Sequence, residues 1–284
     1  MLTETLHSLA AATRGVFKNW KSMLLIAAVY AVLLVVLYLF LAIKEATLAQ
    51  VTLTFVFAVA VPLIFFVLQA MIASGSVPPL ANSPETNQVT AGFVLRRSLT
   101  SFWKLILVSL PLIALAILIF YLLAKAQNHF GQSPNDIALA PHPLAETANA
   151  QHRAQPLNWK AALFSTLRYL SLGLVLPLTA IHLWLATIHD GLGGALKRIL
   201  TLLSRAFAPQ SVLIYVAGFL IFAVVPYFLL LRTTQTKHAW LELFLLLARL
   251  AVVFALTLIG WMITVRALAQ GLPQPFRDHA KEAT

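Results

Sequence analysis

Apolar residues are gathered into six long blocks separated by short polar stretches. Five of them, residues 22–43, 46–84, 105–124, 169–188 and 206–231, contain no Asp, Glu, Lys or Arg. A sixth, 240–265, has Glu242 at its rim and Arg249 inside it. Each block supplies the roughly 20 apolar residues that a helix needs to cross a bilayer. The pattern predicts an all-α, polytopic membrane protein with six transmembrane helices.

A second periodicity precedes every other block. Leu2, Leu6, Leu9, Thr13, Val16 and Trp20 recur three or four apart, with Glu4, Ser8, Arg14 and Lys18 mostly on other faces. Leu95, Leu99, Phe102 and Ile106 form a like stripe beside Arg96 and Arg97. Leu192, Leu196, Ile199, Leu203 and Phe207 form a third, ended by Pro209. Such stripes predict helices lying in the interface plane. The three stretches also share residues in register. Arg14, Trp20 and Lys21 recur at one offset as Arg97, Trp103 and Lys104, while Arg96, Arg97 and Lys104 recur at another as Lys197, Arg198 and Arg205. A repeat of this kind organises a chain. It predicts three membrane hairpins, each preceded by a cytoplasmic amphipathic helix, in units of about 1–81, 82–189 and 190–270. Residues 125–160 are then the one long connection, and 271–284, with Pro273 and Pro275, a loose tail.

Charge sets the orientation. Segments 1–21, 73–104, 189–210 and 266–284 carry three Lys or Arg each, whereas the short loops between the other block ends carry Lys44, Arg232 and Lys237. Basic short loops stay cytoplasmic, which predicts both termini inside a bacterial inner membrane and 125–160 as a periplasmic loop. The first block is longer than a signal-peptide core and no small-residue cleavage pattern follows it, so the N-terminus is expected to stay. The net charge of +11 is spread in small groups at block ends, a placement that suits anionic lipid headgroups and not nucleic acid. Arg14, Lys18, Lys21, Arg96, Arg97, Lys104, Lys197, Arg198 and Arg205 are the expected lipid or partner contacts. With 60% hydrophobic and 10% charged residues and no cysteine, the chain has neither a disulfide framework nor thiolate chemistry.

Candidate chemistry is thin. Pro62, Pro111, Pro177 and Pro226 each interrupt a block, as hinges around a path or as bends that pack. His182 and His189, seven apart, share nearly one face of the fourth block; axial ligation of a haem or chlorophyll-type pigment is one reading, and a bundle hydrogen bond with a headgroup-level residue the plainer one. His129, His142 and His152, with Asp136 and Glu146, lack the tight spacings of a zinc site, so no metal is expected. Gly191, Gly193 and Gly194 follow a membrane block and not a strand, which makes them a helix stop with weak headgroup binding at most. Only His182 offers general acid–base chemistry, and no acidic residue stands at mid-depth as an ion-coupled transporter requires. No catalytic residue is assigned. Arg249 should snorkel, bonding carbonyls freed near a proline kink, or face an anionic headgroup or partner subunit.

The plan "amphipathic helix, Phe/Trp-Lys, span", as in Val16-Phe17-Lys18-Asn19-Trp20-Lys21 and Ser101-Phe102-Trp103-Lys104, resembles a loose group of bacterial six-helix membrane proteins. That group includes the membrane domain found beside glycerophosphodiester phosphodiesterases. The phosphodiesterase domain itself has no counterpart in this chain, so the resemblance implies a fold and no activity. The expectation is a non-enzymatic membrane scaffold or accessory subunit, in contact with lipids and with other membrane subunits. Its rivals are a carrier for a lipid or small apolar solute and a pigment- or haem-binding subunit.

Overall fold

The computed structural model describes residues 2–43, 47–77, 90–130, 159–232 and 239–270, and every regular element among them is helical. In chain order these are α1 (Leu2–Lys18), α2 (Trp20–Ala42), α3 (Leu48–Ser76), α4 (Ala91–Phe130), α5 (Trp159–Leu170), α6 (Leu176–Lys197), α7 (Ile199–Ala206), α8 (Pro209–Phe219), α9 (Val225–Leu231) and α10 (Ala239–Gln270). A π-helical turn, Ser171–Val175, joins α5 to α6, and another, Leu220–Val224, joins α8 to α9. Six helices are long and apolar enough to cross a membrane, with α5–α6 and α8–α9 each counting as one. The protein is a multi-pass membrane protein of all-α class. The histidines and acids of the long connection beyond His129, and the tail from 271, lie outside the described residues.

Local chemistry explains where the helices stop. Asn19, at φ −104° and ψ 47°, separates α1 from α2. No Gly, Pro or Asn occurs between Phe93 and Leu110, so nothing ends the helix there. The expected second surface helix is therefore continuous with its span, as α4. The third is divided at Arg198 (φ −106°, ψ 18°) into the end of α6 and α7, and Pro209 opens the next span as the first residue of α8. The shared basic and aromatic residues thus do not impose one helix geometry on the three stretches. At the start of α3, Thr47 Oγ1 accepts from the Gln50 amide at 3.3 Å while the Thr47 amide donates to Gln50 Oε1 at 3.0 Å, a reciprocal cap that satisfies two orphan donors.

The four prolines fall into two kinds. Pro62 and Pro111 lie within unbroken α3 and α4. Pro177 and Pro226 each follow a π-helical turn, in which the Leu176 amide bonds the Ser171 carbonyl and the Val225 amide bonds that of Leu220. A proline ring presses on the carbonyl four residues back and offers it no N–H. Widening the turn just before the ring relieves that pressure and keeps the neighbouring amide bonded.

The chain forms two compact units, Met1–Val108 with Ile181–Thr284, and Ser109–Ala180. In the larger one, α10 packs on α1, α3, α8 and α9, and α2 packs on α3. Small residues let the backbones approach. A β-carbon at Gly218 would land inside the Thr264 side chain, and one at Gly260 would sit 3.0 Å from Phe222 Cβ. Helix association inside a membrane relies on such close packing and on a few interhelical hydrogen bonds, because lipid tails are as apolar as leucine. One such bond is Trp261 Nε1 donating to Gln69 Oε1 at 2.9 Å, with the Trp261 ring edge-on to Phe222 at 5.1 Å. Tyr30 of α2 packs its ring at a tilt against Phe254 of α10, centroids 4.9 Å apart. In the smaller unit, the Arg168 guanidinium lies over the rings of Phe120 and Tyr169, at 5.8 and 5.5 Å.

The amphipathic stretches leave most of their stripe leucines outward and bury other positions, together with Val16 of the first stripe. Thr5, Ala12 and Val16 of α1, Val94, Ser98, Ser101 and Leu105 of α4, and Ala195, Leu202 and Ala206 around α7 are buried. Several of the large side chains face outward, Leu6 66% exposed, Leu99 58% and Leu200 80%. Small residues fit against neighbouring helices, and the outward apolar surface is what a bilayer covers.

Candidate functional site

All eight residues from 181 to 188 in α6 are buried, an enclosure on every side that marks a central position. The cause is composition, since the run has one ionisable residue, His182, and Thr187 returns its hydroxyl to the Leu183 carbonyl at 2.7 Å. At Asp190 the chain leaves this enclosure. Gly191 takes φ 76° and ψ 174°, a backbone region that only glycine enters without strain, and redirects the chain into the segment that reaches Lys197. A β-carbon at Gly194 would lie 2.7 Å from Asp190 Cβ, so the absent side chain makes the place where Asp190 sits.

The Asp190 carboxylate is held from two directions. His189 Nδ1 lies 2.6 Å from Oδ1, and Arg198 Nη1 lies 3.5 Å from Oδ2. With Ala186, Thr201, Leu202 and Arg205, these side chains line a cavity of about 220 Å³. Ligand pockets for drug-sized molecules run from about 300 to 1,000 Å³, so this one suits a small polar group. It brings two guanidiniums, a carboxylate, an imidazole and a hydroxyl to the place where the fourth span ends and the fifth is about to begin.

Of the residues singled out in the sequence, His189, Arg198 and Arg205 meet here. His182 does not line this cavity and is 4% exposed, so pigment ligation would require packed side chains to move away. Arg14 and Lys18 on α1, Lys21 on α2, Arg96 and Lys104 on α4 and Lys197 at the end of α6 are exposed and do not line this cavity. Arg97 instead turns back into the protein, donating from Nη1 to the Val77 carbonyl at 3.2 Å and from Nη2 to the Ile188 carbonyl at 3.3 Å. Arg249 donates from Nη1 to the Arg232 carbonyl; the acceptor belongs to the end of α9, six residues beyond Pro226, and not to a carbonyl freed by the kink. Among the described residues no group of three His, Cys, Asp or Glu side chains comes together as a metal site.

Sequence reasoning passed over Arg266. Its Nη1 donates to the Gly15 carbonyl at 2.9 Å, tying α10 to α1, and a β-carbon at Gly15 would collide with the guanidinium. Gly15, Gly218 and Gly260, single glycines inside apolar helical patterns, were the available signal for these crossings. Asp190 was visible only as part of a helix stop, because its pairing with Arg198 spans eight residues and depends on the turn at Gly191. No family model, curated protein or solved structure compared with the chain matches it.

Proposed function

We propose that the protein is a non-enzymatic integral protein of a bacterial inner membrane that holds lipid and, through it, organises a larger membrane assembly. The observation that carries this reading is the cavity around Asp190, a cluster of paired charges sized for a headgroup and located where two spans end. The use of the other interior cations supports it. Arg97, Arg249 and Arg266 each donate to main-chain carbonyls, which is a structural use of charge near helix ends. In this reading the termini are cytoplasmic, the basic helices meet anionic headgroups, and other membrane subunits are partners of the outward apolar faces. Kinship with the six-helix proteins named above is proposed on the Phe/Trp-Lys plan alone.

Extraction in mild detergent with mass spectrometry of everything retained tests this. A reproducible lipid set or partner subunit is expected; a chain recovered without either contradicts it. A carrier for lipid or a small apolar solute is the second reading, favoured by the π-helical turns before Pro177 and Pro226, since such turns are frequent at functional sites. Lipid transfer between liposomes that falls when Pro177 and Pro226 are replaced by alanine would favour the carrier.

A further inference from the structure

We propose that the cavity beside Asp190 receives a phosphate ester bearing a primary ammonium, the chemistry of a phosphoethanolamine headgroup. The inference rests on the lipid-holding function proposed above and specifies its ligand. Arg198 and Arg205 both line the cavity, and guanidiniums recognise phosphate oxygens through paired N–H donors. Two arginines alone would fit any phospholipid. Asp190 narrows the choice. A carboxylate in the lining repels a purely anionic headgroup, and it accepts hydrogen bonds from a primary ammonium, which has three N–H donors. A quaternary ammonium has none to give. A polyol headgroup brings no cation to set against the carboxylate.

The carboxylate is a built feature. The turn at Gly191 and the missing β-carbon at Gly194 place it, and His189 Nδ1, 2.6 Å away, fixes its orientation. Arg198, 3.5 Å from the second carboxylate oxygen and 58% exposed, is loosely enough held to turn to a phosphate while the ammonium replaces it at Asp190. A volume of about 220 Å³ admits a headgroup and excludes acyl chains. Those chains have a surface beside them, the exposed stripe of Leu196, Ile199, Leu203 and Phe207.

The test uses the full chain in discs of dioleoylphosphatidylcholine, with dioleoylphosphatidylethanolamine or dioleoylphosphatidylglycerol added stepwise. Retained lipid is read by native mass spectrometry. The wild type should retain the ethanolamine lipid about tenfold over the choline lipid, the scale of one hydrogen bond to a charged group. Asp190→Asn should lower retention of the ethanolamine lipid and leave or raise that of the glycerol lipid, whereas Arg205→Gln should lower both. Displacement of the lipid by millimolar O-phosphoethanolamine with no membrane preference would assign the cavity to a soluble compound of the same chemistry. Equal retention of ethanolamine and choline lipids by the wild type, a comparison that needs no variant to fold, overturns the proposal. So does an Asp190→Asn that moves ethanolamine and glycerol lipids alike. Lipid retained without headgroup preference removes this ligand alone; no lipid retained from any mixture removes the lipid-holding function as well.

Discussion

Arg97, near the start of α4, donates from Nη2 to the carbonyl of Ile188 at 3.3 Å, two residues before α6 leaves its buried course at Asp190. The same guanidinium reaches the Val77 carbonyl, just past the end of α3. The last carbonyls of a helix lack partners and carry partial negative charge. One arginine therefore ties the end of α3 to the stretch of α6 that leads into Asp190.

Arg97→Leu should lower resistance to unfolding in denaturing detergent by about 1.5–3 kcal/mol, the range for a hydrogen bond to a charged group. Arg97→Lys should recover only part of it, because one ammonium cannot span two carbonyls with the planar fork. Stability equal to the wild type in Arg97→Leu would mean that α3 and α6 are held there by packing alone.

Glycine contacts on α10 should differ in cost. Gly218→Ala meets the Cβ of Thr264 as well as its hydroxyl, so the helices themselves must separate, at about 1–3 kcal/mol for overpacking. Gly15→Ala meets only the movable end of Arg266, which can shift aside without parting the helices, and should cost less than Gly218→Ala. Combining Gly218→Ala with Thr264→Ala should give a loss smaller than that of Gly218→Ala alone, since the colliding hydroxyl and methyl are gone. An additive result in the double-mutant cycle would contradict the contact.

Arg249→Leu should leave the fold and any bound subunit in place. An arginine deep in a span costs about 2.5–3.5 kcal/mol on insertion scales, and bonding the Arg232 carbonyl recovers part of that. We expect insertion at least as efficient as that of the wild type, measured by the membrane-integrated fraction. Loss of a bound lipid or partner with the fold intact would give Arg249 a binding role.

The chain has no cysteine, so single probes report sidedness without background. A cysteine replacing Gln151 should label from outside the cell, and one replacing Thr201, at the cavity, only after permeabilisation. The opposite pattern would overturn the cytoplasmic placement drawn from the basic segments.

The six spans were legible because bilayer thickness converts directly into lengths of uncharged sequence, as the blocks around Ile26, Phe65, Leu115, Trp184, Tyr215 and Phe254 show. What covers each face of the amphipathic helices was not. In the stripe of the second stretch Leu95 and Leu99 are exposed and Phe102 is half-buried, while Ser98 and Ser101 pack inward. Hydropathy cannot separate protein from lipid as the apolar neighbour. At the cavity, His189, Arg198 and Arg205 were each singled out in the sequence, but separately. Their meeting at Asp190 depends on one glycine torsion and on a bend at Arg198, neither of which leaves a periodic mark.

Lipid holding is tested most directly by releasing the full chain from discs cut out of its native membrane, inside a mass spectrometer, beside a variant carrying Arg198→Gln and Arg205→Gln. The wild type should keep bound lipid at collision energies that strip the variant bare, with both chains equally helical beforehand. Wild type and variant losing lipid together, at the energy where loosely adhering lipid leaves, would contradict it.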